Sequence, residues 1–105
     1  MLAMNPWHDV ADENELVNGA WKEVNIDNLS LLIIRQDNRY FAMQNVCTHD
    51  GAPLSGGTMD DGEMICPRHG ARFCIKTGEA LCPPAYEPVD TYETRVVDGK
   101  VQVKL

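Results

Sequence analysis

Two stretches decide how this chain is read: Cys47-Thr48-His49-Asp50-Gly51-Ala52 and Cys66-Pro67-Arg68-His69-Gly70-Ala71. Each sets one thiol and one imidazole close together beside a glycine, and sixteen residues separate His49 from Cys66. Two soft thiolates and two imidazoles are metal donors. Tetrahedral zinc accepts two of each, but zinc fingers group the cysteines in one half and the histidines in the other. Here both halves are mixed. A two-iron centre, with one iron held by two cysteines and the other by two histidines, suits that mixing, because each loop can give its Cys to one iron and its His to the other.

On either side of these loops the sequence reads as β-structure. Residues 20–26 (AWKEVNI), 30–36 (SLLIIRQ) and 39–45 (RYFAMQN) are predicted strands, the last two joined by a two-residue turn at Asp37-Asn38. Residues 90–105 read as two strands around Asp98-Gly99, a strong hairpin signal. No segment carries a helical period over ten or more residues, and residues 11–19 hold one turn at most. Residues 46–88 differ: they contain five of the six prolines, all four cysteines and most of the glycines, with short apolar runs at 62–66 and 72–76. The expected architecture is all-β, an antiparallel sandwich- or barrel-like scaffold at about 1–45 and 86–105 carrying a loop-rich insert at about 46–85. An insert of that size buries too little apolar surface to hold itself together and requires a cross-link or a metal.

Composition narrows the partners. The 105 residues are expected to form one domain, 1–105, and the formal charge of −7 disfavours nucleic acid, which is bound by neutralising phosphates with Lys and Arg. The acidic excess is consistent with a basic protein partner and equally with solubility alone. No apolar run approaches the roughly 20 residues needed to span a bilayer, and the N-terminus lacks the basic and apolar regions of a secretory leader. A cytoplasmic location and no membrane association are expected. In that compartment Cys74 and Cys82 are expected to be reduced, partly buried thiols with no assigned role.

The pattern C-x-H, a gap, then C-x-x-H resembles the cluster-binding loops of the Rieske iron–sulfur family. The resemblance covers roughly residues 45–85, and the flanking strands fit the family's antiparallel scaffold. It implies one [2Fe–2S] cluster per chain, with Cys47 and Cys66 on one iron and His49 and His69 on the other. Gly51, Gly70 and the Gly56-Gly57 pair would supply positive φ and close backbone approach, and Cys82-Pro83-Pro84-Ala85 resembles the third, proline-containing loop over the cluster. His8 is read as a surface residue, and Trp21, Phe41, Tyr86 and Tyr92 as scaffold packing.

Two ferric irons, two sulfides and two thiolates cancel in charge, so one electron makes such a centre only singly negative. Rieske centres accordingly lie at roughly −150 to +300 mV, against about −400 mV for plant-type ferredoxins. The respiratory and photosynthetic members have an inter-loop disulfide and Ser and Tyr hydroxyls donating to sulfur. At the matching positions this chain has Ala52 and Arg68 for the cysteines, and Ala71 and Phe73 for the hydroxyl donors. In this the chain resembles the soluble Rieske ferredoxins of bacterial aromatic-ring-hydroxylating dioxygenases. That likeness implies a low-potential, non-enzymatic one-electron carrier, monomeric, taking electrons from an NAD(P)H-dependent flavoprotein reductase to a terminal oxygenase. The alternatives are a cluster-bearing regulatory or sensing subunit of the nitrite-reductase small-subunit type, and a zinc-stabilised interaction module.

Overall fold

Four chain reversals share one chemistry. At Asp27-Asn28, Asp37-Asn38, Asp61-Gly62 and Asp98-Gly99 both residues have positive φ, between 48° and 79°. Two-residue hairpins of type I′ require that geometry, and Asp, Asn and Gly tolerate it at least cost. Each pair joins neighbouring antiparallel strands in tight register: Ile26 faces Leu29, Gln36 faces Arg39, Asp60 faces Glu63 and Val97 faces Lys100. The turns at 37–38 and 98–99 match expectation, and those at 27–28 and 61–62 are additional.

The computed structural model describes residues 5–105. Residues 1–4, which belong to the predicted scaffold and to the stretch read for a leader, lie outside them. The strands are β1 (Trp7–Asp12), β2 (Trp21–Ile26), β3 (Leu29–Gln36), β4 (Arg39–Gln44), β5 (Thr58–Asp60), β6 (Glu63–Ile65), β7 (Arg72–Cys74), β8 (Thr91–Tyr92), β9 (Thr94–Val97) and β10 (Lys100–Lys104). They form three antiparallel sheets, ordered β1-β10-β9, β2-β3-β4-β8 and β5-β6-β7. Among the described residues there is no α-helix, and none is long and apolar enough to cross a membrane.

The all-β expectation holds, with three differences. The N-terminal strand β1 was not anticipated: a bulge between Asp9 and Ala11 breaks the alternation and turns both Val10 and Ala11 into the core. The insert carries a small sheet of its own, β5-β6-β7, tied across its face by Arg72 to Asp60 at 3.2 Å and to Glu63 at 3.4 Å. The segment 90–105 holds three strands, because β8 leaves the terminal hairpin to pair with β4.

β3 organises the whole. Leu31, Leu32, Ile33 and Ile34 are all fully buried, so this strand is covered on both faces. Alternation sends Leu31 and Ile33 into a core with Val10, Leu16, Ala42, Val101 and Val103. Leu32 and Ile34 enter a second core with Met43, Leu54, Met64, Phe73 and the thiols of Cys47 and Cys66. Trp21 and Phe41 pack against the second core and Tyr92 against the first, as expected of scaffold aromatics. Tyr86 corrects that expectation: it is 80% exposed, because it stands in the loop just past the buried Ala85.

The division predicts different consequences for adjacent residues. Leu32→Ala and Ile33→Ala should each destabilise the protein by about 2–5 kcal/mol in denaturant unfolding. Only Leu32→Ala should also speed hydrogen exchange in residues 46–88, since only its side chain belongs to the core beneath the two loops.

Candidate metal centre

The two Cys–His loops have one backbone design. In the first, the Cys47 amide donates to the Ala52 carbonyl at 2.7 Å and the Gly51 amide to the Cys47 carbonyl at 2.7 Å. In the second, the Cys66 amide donates to Ala71 at 2.8 Å and the Gly70 amide to Cys66 at 3.1 Å. Gly51 and Gly70, with φ of 78° and 76°, take the left-handed conformation that closes each loop. The first loop follows β4 through Asn45 and Val46, and the second connects β6 to β7.

This geometry turns the donors in opposite senses. Cys47 and Cys66 are buried at the top of the second core, at 0% and 1% exposure, whereas the His49 and His69 side chains are 31% and 53% exposed. The imidazoles stand edge to face with ring centroids 5.0 Å apart. Burial pushes the Cys47 thiol above its ordinary pKa, and the adjacent Cys66 thiol pushes the same way, against the amides of His49 and Asp50. A buried pair of thiols of this kind favours its anionic form when a cation compensates the charge. The donor atoms of Cys47, His49 and Asp50 lie within 4.8 Å of one another, as in a group that could hold a metal ion. That group includes Asp50, which was not among the predicted donors; the paired thiols and the paired imidazoles bring Cys66 and His69 to the same site.

Asn45 was missed at the sequence level. It is the buried polar side chain of the described residues, and its Oδ1 accepts from the amides of Leu54 at 2.7 Å and Ser55 at 2.9 Å. Its Nδ2 donates to Ser30 Oγ at 3.1 Å, so one carboxamide fastens the end of the first loop to the sheet. Trp21 Nε1 donates to the Ser55 carbonyl at 3.1 Å and adds a second tie. A polar residue two positions before a donor cysteine, at the end of a buried strand, was the available signal.

The glycines and the third loop refine the expectations. Gly56 and Gly57 do not have positive φ; Gly57 is required by close approach, since a Cβ there would lie 1.9 Å from the Ile65 carbonyl oxygen. The segment 82–85 does pack on the site: Ala85 is in the core, and Cys82 Sγ lies 3.7 Å from the Gly70 carbonyl oxygen. Thr48 Oγ1 donates to the Glu87 carbonyl at 2.6 Å, tying the first loop to the third. Cys74 and Cys82 are free and half-buried, as expected. His8 lies in β1 opposite Val103, away from both loops.

Two loops, each giving one buried thiol and one outward imidazole over an all-β scaffold, define an iron–sulfur protein of the two-cysteine, two-histidine class. Residues 6–93 match the family model for the Rieske [2Fe-2S] domain. The chain belongs to that family, and its cofactor is a Rieske-type [2Fe–2S] cluster. The donors present fit the group: two soft thiols in dry surroundings and two imidazoles are the mixed set it takes.

Among its relatives, the 3-phenylpropionate/cinnamic acid dioxygenase ferredoxin subunit of Photorhabdus laumondii is 35% identical over 95 residues, covering 90% of each chain. The anthranilate 1,2-dioxygenase ferredoxin subunit of Burkholderia cepacia is 40% identical over 75 residues, 71% of this chain and 69% of that one. The structure superposes on a chain from a complex of reduced oxygenase and oxidized ferredoxin in carbazole 1,9a-dioxygenase with a TM-score of 0.90 and 31% identity, covering 94% and 93% of the two chains. The ferredoxin of carbazole 1,9a-dioxygenase from Nocardioides aromaticivorans IC177 gives 0.90 at 26% identity, covering 95% and 98%.

Asn45→Ala should leave the Leu54 and Ser55 amides without their acceptor and cost about 1–3 kcal/mol. The expected result is a lower denaturation midpoint and less iron and acid-labile sulfide retained per chain, measured against the wild type after identical purification.

Proposed function

We propose that the chain is a low-potential one-electron carrier, passing electrons from an NAD(P)H-dependent flavoprotein reductase to the terminal oxygenase of an aromatic-ring dioxygenase system. The observation that carries this reading is the polarity of the site, with thiols buried and imidazole edges at the surface. Its likeness over nearly the full chain to ferredoxin subunits of dioxygenases supports it. In this reading the chain carries electrons and the reaction on the ring belongs to the oxygenase.

Cys47 and Cys66 would hold one iron as thiolates, and His49 and His69 the other through imidazole nitrogens. The bound cluster supplies reversible one-electron chemistry. The chain's own residues do the rest. Leu54, Ala71 and Phe73, all in or at the buried core, keep water from the thiol end. The exposed His49 and His69 rings bring the other end to where a partner can touch it. Residues of about 46–85 form the cluster-binding insert, and the strands outside them are a support that need not move during transfer.

The direct test loads the protein with its cluster and mixes it with reductase and oxygenase from a dioxygenase system. Reduction by the flavoprotein and reoxidation by the oxygenase are expected; a cluster-loaded protein that exchanges electrons with neither overturns the assignment as a carrier. Ligation is checked separately: His69→Cys should remove the Rieske-type visible and electron paramagnetic resonance spectrum, and an unchanged spectrum refutes the ligand set.

In this reading a low potential follows from Ala71 and Phe73. Both are fully buried next to the second loop and neither can donate a hydrogen bond to sulfur from its side chain. Phe73→Tyr and Ala71→Ser should each raise the potential, because a donor stabilises the more negative reduced state. A bond of about 1.4 kcal/mol corresponds to roughly 59 mV for one electron. Protein-film voltammetry of the wild type and both variants measures it.

A further inference from the structure

The two loops are equivalent in backbone but not in sequence. Counting from each cysteine, the third residue is His49 in one loop and Arg68 in the other, and the fourth is Asp50 in one and His69 in the other. Each loop tip therefore carries one histidine and one charge, and the charges are of opposite sign. They meet across the gap between the loops, Arg68 Nε lying 3.3 Å from Asp50 Oδ2. The same carboxylate oxygen is 3.9 Å from Nδ1 of His49 and 3.9 Å from Nδ1 of His69.

Asp50 is fixed where it stands. Its Oδ1 accepts from the Ala52 amide at 3.0 Å, within the turn that Gly51 closes. That bond and the contact with Arg68 hold the carboxylate between the two loop tips. Among the described residues Asp50 is the one ion-pair partner of Arg68.

We propose that Asp50 and Arg68 form an ionic clasp between the two loops that sets the electrostatic potential at the histidine end of the centre. Asp50 makes the arrival of an electron less favourable, and Arg68 offsets it. The clasp rests on the ligand reading given above, since it acts on the end that His49 and His69 would hold. It stands in a chain whose Ala52 and Arg68 leave no cysteine pair to bridge these loops. A fixed negative charge close to both imidazoles opposes an added electron through Coulomb's law, and a positive charge beside it opposes that effect.

The two charges differ in exposure, and this makes the roles separable. The Asp50 side chain is 22% exposed and that of Arg68 63%. Salt screens the more exposed charge more strongly. The contribution of Arg68 should fade with ionic strength while that of Asp50 persists.

The test is voltammetry of the cluster-loaded protein at low and high salt, with the visible and paramagnetic resonance spectrum of each variant recorded first. Asp50→Asn, which keeps an acceptor for the Ala52 amide, should raise the potential, shifting the reduction equilibrium on the order of tenfold. Arg68→Met should lower it and Arg68→Glu lower it further, both less so at high salt, while Arg68→Lys should stay near the wild type. The arginine series keeps the proposal testable if Asp50→Asn fails to hold its cluster, because Arg68 is a surface side chain. A wild type without a Rieske-type spectrum overturns the ligand reading and the clasp together. A wild-type spectrum in all variants with potentials unmoved, or moved in the opposite directions, overturns the clasp alone.

Discussion

The constraint on which the rest depends is that β3 must be dry on both faces. Four consecutive aliphatic side chains, Leu31 to Ile34, leave no face for water, and each contributes about 1.5–3 kcal/mol only when covered. The covers come from different parts of the chain. One is the terminal sheet, through Val10, Val101 and Val103; the other is the insert, through Leu54, Met64 and Phe73. The insert is therefore one wall of a core that the scaffold cannot complete without it. This places Cys47 and Cys66 at the edge of an apolar interior built on a strand that neither loop belongs to.

A buried thiol pair is an unfavourable feature of an apolar core unless something compensates it. Burial raises the Cys47 thiol, and no cationic side chain is hydrogen-bonded to either sulfur among the described residues. The backbone supplies part of the answer, since the His49 and Asp50 amides pull against the burial. The Rieske-type cluster of this family supplies compensating positive charge at the thiol end, where the surroundings are apolar.

Much of the site could be read from the sequence because metal chemistry restricts donor types and loop geometry restricts spacing. Cys47, His49, Cys66 and His69 met both conditions, and the structure gathers them. The hairpins at Asp37-Asn38 and Asp98-Gly99 could be read because type I′ geometry restricts its residues as sharply; the identical pair at 27–28 carried the same signal between strands that were already recognised. What could not be read depended on tertiary partners. β1 owes its strand to pairing with β10, and its bulge removes the alternation a strand would show. The short strands of the insert sheet gain stability from packing under the loops more than from propensity. Tyr86 has the composition of a core residue, and only the placement of Ala85 turns it outward.

The equivalence of the two loops explains how one end of a small protein separates its functions. In the repeated turn each cysteine donates its amide to the alanine five residues on and accepts from the glycine four residues on, and both cysteine side chains are buried. With the inward positions committed, the two tip residues of each loop are free to differ. One tip residue in each is a histidine; the other meets its counterpart as a pair of opposite charges. In the proposed reading, ligation and surface charge fall to different residues of the same turn. Of the two charges only Asp50 is bonded into the turn, through the Ala52 amide, whereas Arg68 stands 63% exposed at its tip.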